Sequence, residues 1–237
     1  MAAPSNASGL VSPRFEIVKA DASEALRVWK DLASAGRGYP LLLGPKDGAQ
    51  RVLEDAESPW VPDMPTTEQI LETAKHLTYP ASLMDERRGA IDEEVFSEAP
   101  LPDGSWPTEP YIMRTWAYGY SWAQEEPEVF IAILPLKDGA EAPALLRWGG
   151  WNDCPVPAQH VAALRSWFDR FGAILLSLGS DTLDVFVSRP PTDRVAALAL
   201  ARELYIYCPD LVDQGFQSLG ELAASLMESQ FWNFWWD

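Results

Sequence analysis

Five of the seven residues from Gln230 to Trp236 (QFWNFWW) are aromatic. Burying one large apolar side chain stabilises by about 1.5–3 kcal/mol. The ordering cost of about 1–2 kcal/mol per backbone residue does not cancel this in a run so rich in rings. The segment is therefore expected to be an integral strand of a sheet. Its period of two points Trp232, Phe234 and Trp236 one way, with Phe231, Asn233 and Trp235 the other way. Aromatics on both faces predict a central strand buried on both sides. The competing reading is an edge strand that presents aromatics to a partner, and it makes Trp235 and Trp236 candidate binding residues.

The rest of the C-terminal stretch supplies a sheet for that strand. Residues 129–134 (VFIAIL) and 173–178 (AILLSL) read as strands. In 183–188 the apolar Leu183, Val185 and Val187 alternate with Asp184, Phe186 and Ser188, and Gly179-Ser180-Asp181 before them suits a hairpin turn. A helix is expected over 157–170 with Val161, Leu164, Phe168 and Phe171 on one face, and another over 192–206. Ser218 and Glu221 form a capping box that opens a helix through Met227. The order strand, helix, strand, strand, helix, helix, strand predicts an α+β fold, a mainly antiparallel mixed sheet with helices packed on it.

Upstream, 14–19 (RFEIVK) and 39–44 (YPLLLG) read as strands. Between them lies a helix with Asp21 and Glu24 as a capping box and with Ala25, Val28, Trp29 and Leu32 as its apolar stripe. Further helices are expected near 47–56 and after a Thr66/Gln69 capping box. The helix-strand unit 25–44 (ALRVWKDLASAGRGYPLLLG) echoes 163–179 (ALRSWFDRFGAILLSLG), either as two ordinary αβ units that happen to match or as two related αβ halves in one continuous sheet. Residues 85–128 hold eleven acidic residues against Arg87, Arg88 and Arg114, a local balance of −8. Residues 99–110 are rich in Pro and turn formers. The organisation read from these features is an N-terminal αβ region over 1–98, an acidic, Pro-rich linker or surface loop over 99–124, and a C-terminal α+β domain over 125–237.

Composition narrows the function. The chain has 237 residues, 18 Lys and Arg against 35 Asp and Glu, and a net charge of −17. Such a charge repels phosphate, so nucleic acid is not an expected partner. No run approaches 18 apolar residues and no secretory signal is visible, so neither a membrane nor export is expected. Two cysteines make no disulfide framework and fit a reducing, cytoplasmic setting. No metal ligand spacing and no cofactor motif occurs.

Two segments carry candidate binding chemistry. In 148–155 (WGGWNDCP), Trp148 and Trp151 offer flat stacking area, Asn152 and Asp153 offer hydrogen bonds, and two glycines let backbone approach a ligand closely. The competing reading buries both indoles and uses Asn152 or Asp153 to cap the helix at 157. In 208–214 (CPDLVDQ), Asp210 and Asp213 are three residues apart and share a face of a helical turn, with Gln214 beside them. Arg189 is a candidate partner for either carboxylate. Cys154 and His160 are a possible nucleophile and base, but a third, orienting group is not visible, and no catalytic residue is assigned.

The segments 148–167 (WGGWNDCPVPAQHVAALRSW), 188–192 (SRPPT), 197–215 (ALALARELYIYCPDLVDQG) and the final FWWD together resemble a bacterial family catalogued as domain of unknown function 4253. The resemblance covers roughly residues 125–237 and, less clearly, 21–44. It implies a bacterial, cytosolic protein and carries no catalytic residue or cofactor. The function expected from the sequence is a non-catalytic acidic protein that binds another, basic protein, as an immunity or antitoxin-type inhibitor binds a basic toxin. The alternative is a small-molecule-binding protein or enzyme that uses the loop 148–154 with Asp210 and Asp213.

Overall fold

The computed structural model describes residues 10–58, 63–88, 106–115 and 127–236. Six strands form one sheet: β1 (Glu16–Asp21), β2 (Tyr39–Gly44), β3 (Glu128–Leu134), β4 (Ala173–Leu178), β5 (Thr182–Val187) and β6 (Phe231–Trp235), in the order β1-β3-β2-β4-β5-β6. Four neighbouring pairs are antiparallel, and only β2 and β4 run parallel. This is the α+β arrangement expected. Most of the stretch 99–124, read as a linker, lies outside the described residues. The strands before and after it hydrogen-bond within one sheet, since β3 lies between β1 and β2.

The helices are α1 (Ala25–Ala35), α2 (Lys46–Glu57), α3 (Thr67–Lys75), α4 (Ala81–Arg87), α5 (Ala142–Leu146), α6 (Pro157–Phe171), α7 (Arg194–Tyr207) and α8 (Leu219–Glu228), with a π-helical turn at Leu211–Phe216. Alternation along the strands divides the core between two faces. Leu41, Leu43, Phe130, Ala132, Leu175, Val185, Trp232 and Phe234 face the thick layer of α2, α5, α6, α7 and α8. Leu42, Val129, Ile131 and Leu176 face Ala25 and Trp29 of α1. Because β3 is apolar at every position from 129 to 134, it suits a strand covered on both sides.

Local signals set several helix ends. Thr66 and Gln69 form the reciprocal capping box on α3, and Ser218 accepts the Glu221 N–H at 3.2 Å to open α8. The box expected at Asp21 does not form. Asp21 accepts from the nearby Ser23 N–H in a short 3-10 turn, and Glu24 pairs instead with Arg27. On α6, Val161 and Leu164 are buried as expected, but Phe168 is 55% exposed. Trp167 takes the central place. Its ring stacks on Phe234 at 5.3 Å, and its N–H donates to Glu203 at 2.8 Å. Arg170 grips both oxygens of the same Glu203, at 2.9 and 2.7 Å, and joins α6 to α7.

The aromatic end of the chain corrects one expectation. Among the described residues β6 is an edge strand, not a central one, and pairs only with β5. Even so, Trp232, Phe234 and Trp236 are buried under the helical layer. On its other face the Asn233 amide donates to the Arg114 carbonyl at 3.0 Å. The segment 113–115 covers that face, with Thr115 and Ser177 each donating to the buried Asp184 carboxylate at 2.7 Å.

Between the two parallel central strands the sheet is thin. Leu42 with Ser177 is their one register pair. Near their N-terminal ends the Tyr39 hydroxyl, from the start of β2, donates to the Leu175 carbonyl of β4.

Candidate functional site

The two segments singled out in the sequence meet. The loop 150–156, Tyr205 at the end of α7, Pro209, Asp213 of the π-helical turn, and Glu86 and Arg87 of α4 enclose a cleft of about 460 Å³.

Backbone conformation shapes the loop. Gly149 has φ +116°, and a Cβ there would lie 2.4 Å from the Pro155 carbonyl oxygen and 2.7 Å from His160 Nε2. No other residue fits this approach. Gly150 follows at φ +90° and Asn152 at φ 45°. The helix α6 begins with Pro157 at a position that needs no N–H, and Val156 precedes it without a side-chain cap. Asn152 and Asp153 are therefore not caps; both are exposed and line the cleft.

The indoles do not line it. Trp148 is buried, donates to the Gly179 carbonyl at 2.8 Å, and packs edge-on against Trp151 and Trp236 at 4.9 and 5.7 Å. Trp151 is half-buried beside it. Trp236 is a core residue rather than a surface one. Trp235 is half-buried, its ring lies against Gly215, and its carbonyl accepts from the Cys208 thiol at 3.0 Å.

Cys154 lies at the floor, 5% exposed. Its Sγ is 3.4 Å from His160 Nε2, and His160 Nδ1 is 2.5 Å from the Tyr207 hydroxyl. Geometrically this is a thiol, an imidazole and an orienting group. Electrostatically it is a neutral set. Burial holds the Cys154 thiol well above its ordinary range, against a pull downward from the Gly150 N–H. Burial brings His160 down to about 3, with the Pro155 carbonyl opposing and the Arg87 cation adding to the fall. The Tyr207 phenol is raised by the same burial, and Cys208 is pushed up to about 12. Burial thus favours the protonated thiol and the uncharged ring over a thiolate–imidazolium pair.

The remaining walls are charged. Tyr205 donates to the Asp213 carboxylate at 3.0 Å. Asp210 accepts from Gln214 at 2.9 Å and does not line the cleft, because the wider π-helical turn separates it from Asp213. The Arg87 guanidinium donates to the Asp153 carbonyl, and Glu86 accepts from Gln159 at 2.9 Å. Among the described residues that line the cleft, three carboxylates, Glu86, Asp153 and Asp213, stand against the one cation Arg87, a formal balance of −2. Arg189 pairs with neither Asp210 nor Asp213. It donates to the Phe168 and Asp169 carbonyls at 3.2 and 3.0 Å and closes the C-terminus of α6, as a cation suits that end of a helix.

Glu86, Arg87, Tyr205 and Tyr207 were not candidates from the sequence. The DERR run at 85–88 reads as a solvated charge cluster. The two tyrosines are signalled only by their place before Cys208-Pro209. Among the described residues no group of three or more His, Cys, Asp or Glu is placed to hold a metal ion. No helix among them is long and apolar enough to cross a membrane.

The family model described as Domain of unknown function (DUF4253) matches residues 130–237, from within β3 through β6, in agreement with the resemblance carried by the motifs. The match does not extend to 21–44. Neither the curated proteins nor the solved structures gave a match.

Proposed function

We propose that the protein is a non-catalytic binding protein whose cleft receives a cationic group, the lysine or arginine side chain of a basic partner protein. The observation that carries this reading is the convergence of Asp153, Asp213 and Glu86 on one cleft with a single opposing cation. The net charge of −17 supports it, because a charge of that size attracts a basic partner over long range and speeds encounter. The neutral thiol and imidazole at the floor favour binding over chemistry. An immunity-type inhibitor of a basic toxin is the finer form of the same proposal.

A test uses a tetralysine peptide in titration calorimetry with the wild type and with an Asp153→Asn, Asp213→Asn pair. The pair is expected to bind at least about tenfold more weakly, a loss of about 1.4 kcal/mol. Wild-type association is expected to slow as salt shortens the screening length to about 8–10 Å. Equal binding by the pair, or no binding by the wild type, overturns the proposal. The cleft is also of a size that suits small ligands, which favours a small cation as the second reading. Agmatine binding as tightly as the peptide would select it.

A further inference from the structure

We infer that a second cavity, at the seam between β2 and β4, binds a small zwitterion with an apolar or aromatic side chain, the class to which free apolar amino acids belong. The cavity encloses about 560 Å³ at the N-terminal ends of the two parallel strands and shares no lining residue with the cleft described above. Tyr39 of β2 and Ala173, Ile174 and Leu175 of β4 line it, and the Tyr39 hydroxyl reaches across to the Leu175 carbonyl near the single register pair Leu42 with Ser177. Gly139 keeps the Tyr39 ring in place, since a Cβ there would lie 2.0 Å from it.

One wall is apolar. Leu164 and Ile174 line it, and Phe168 stands beside them 55% exposed, next to the fully buried Trp167. An open ring at the mouth of a cavity is a platform for another ring or an aliphatic chain. The rim carries two cations and two carboxylates, Lys137, Arg165, Asp138 and Asp169. Arg165 is committed within the protein, 2.9 Å from Glu141 and 3.8 Å from Asp138. The Lys137 ammonium and the Asp169 carboxylate have no ion-pair partner among the described residues, and Asp169 gives only its backbone carbonyl, to Arg189.

The rim therefore offers one open positive and one open negative group above an apolar wall. A simple anion would meet the carboxylate of Asp169, and a simple cation the ammonium of Lys137. A zwitterion satisfies both. Its carboxylate accepts from Lys137, its ammonium donates to Asp169, and its side chain covers Phe168.

Titration calorimetry with L-phenylalanine, 3-phenylpropionate and phenethylamine tests this on the full-length protein. Saturable 1:1 binding of phenylalanine is expected, with each singly charged analogue weaker by about tenfold or more. Phe168→Ala is expected to weaken phenylalanine binding about tenfold and to leave the melting temperature unchanged, because the ring is already exposed. Lys137→Ala is expected to remove the preference for phenylalanine over phenethylamine. No saturable binding of phenylalanine, leucine or tryptophan at about 10 mM, where a site of millimolar Kd is mostly filled, overturns the inference. So do analogues that bind as well as the amino acid, or binding untouched by Phe168→Ala. Self-association that is lost in Phe168→Ala would give the face to a second copy of the chain and would also overturn it.

Discussion

Gly149 and His160 show how single residues hold the cleft. Gly149→Ala places a methyl group against the Pro155 carbonyl and the imidazole, at a φ of +116° that an L side chain rarely adopts. Backbone strain of this kind costs about 1–3 kcal/mol before the collision is counted. Urea unfolding is expected to show at least that loss with an unchanged m-value. His160 makes a pH prediction. Its pKa falls from 6.5 to about 3 on folding, so the unfolded chain binds a proton that the folded chain refuses. The stability contributed by the neutral ring is fully present above pH 6.5 and is lost as pH falls towards 3. Within that window the slope is about 1.4 kcal/mol per pH unit. Replacing the ring by His160→Gln should remove that slope from a pH series of denaturation curves, whatever the change in overall stability. A variant that keeps the wild-type slope would place the titrating group elsewhere.

Elements built on short-range signals were the most legible in the sequence. Apolar runs or alternation marked β3, β4 and β5, the Gly179-Ser180-Asp181 turn joined two of them, the Thr66/Gln69 box opened α3, and Ser218 capped α8 without the return bond from Glu221. Thr66→Ala is expected to cost about 0.5–2 kcal/mol, read from the denaturation midpoint. What the pattern did not reveal depends on residues far away in the chain. Alternation in β6 reports two covered faces but not what covers them, and one cover is the 113–115 segment, more than a hundred residues upstream. Asp184 looks like a solvent position in an alternating strand, yet Ser177 and Thr115 bury it with hydrogen bonds. Half of the cleft was visible in the loop at 150–156 and in Asp213. The α4 wall was not, because nothing local ties Arg87 to the Asp153 carbonyl, 66 residues away. The expectation that β6 is integral gives a direct test. Phe234→Ala removes the ring stacked on Trp167 and should cost about 3–5 kcal/mol. Ending the chain at Met227 should give aggregated or unfolded protein, since that loss is a large share of the roughly 5–15 kcal/mol a domain has.

At the scale of the molecule, two three-stranded halves, β1-β3-β2 and β4-β5-β6, meet at the parallel pair. Each central strand follows a helix that ends on a left-handed glycine, Gly36 at φ 66° and Gly172 at φ 60°. α1 packs on one face and α6 on the other. The sequence echo between 25–44 and 163–179 falls on these two helix-strand units. The seam of one register pair also has a kinetic meaning. A three-residue turn joins β4 to β5, whereas pairing β1 with β3 brings Asp21 to Glu128. With about 0.6 kcal/mol for each doubling of loop length, the longer closure costs roughly 3 kcal/mol more. Leu183→Ala in β5 is therefore expected to slow folding, with a φ-value of about 0.5–0.8, while Val18→Ala in β1 mainly speeds unfolding, with a value of about 0–0.3. The β4-β5-β6 half is then the template, and β2, β3 and β1 are added to a sheet edge that β4 has already prepared.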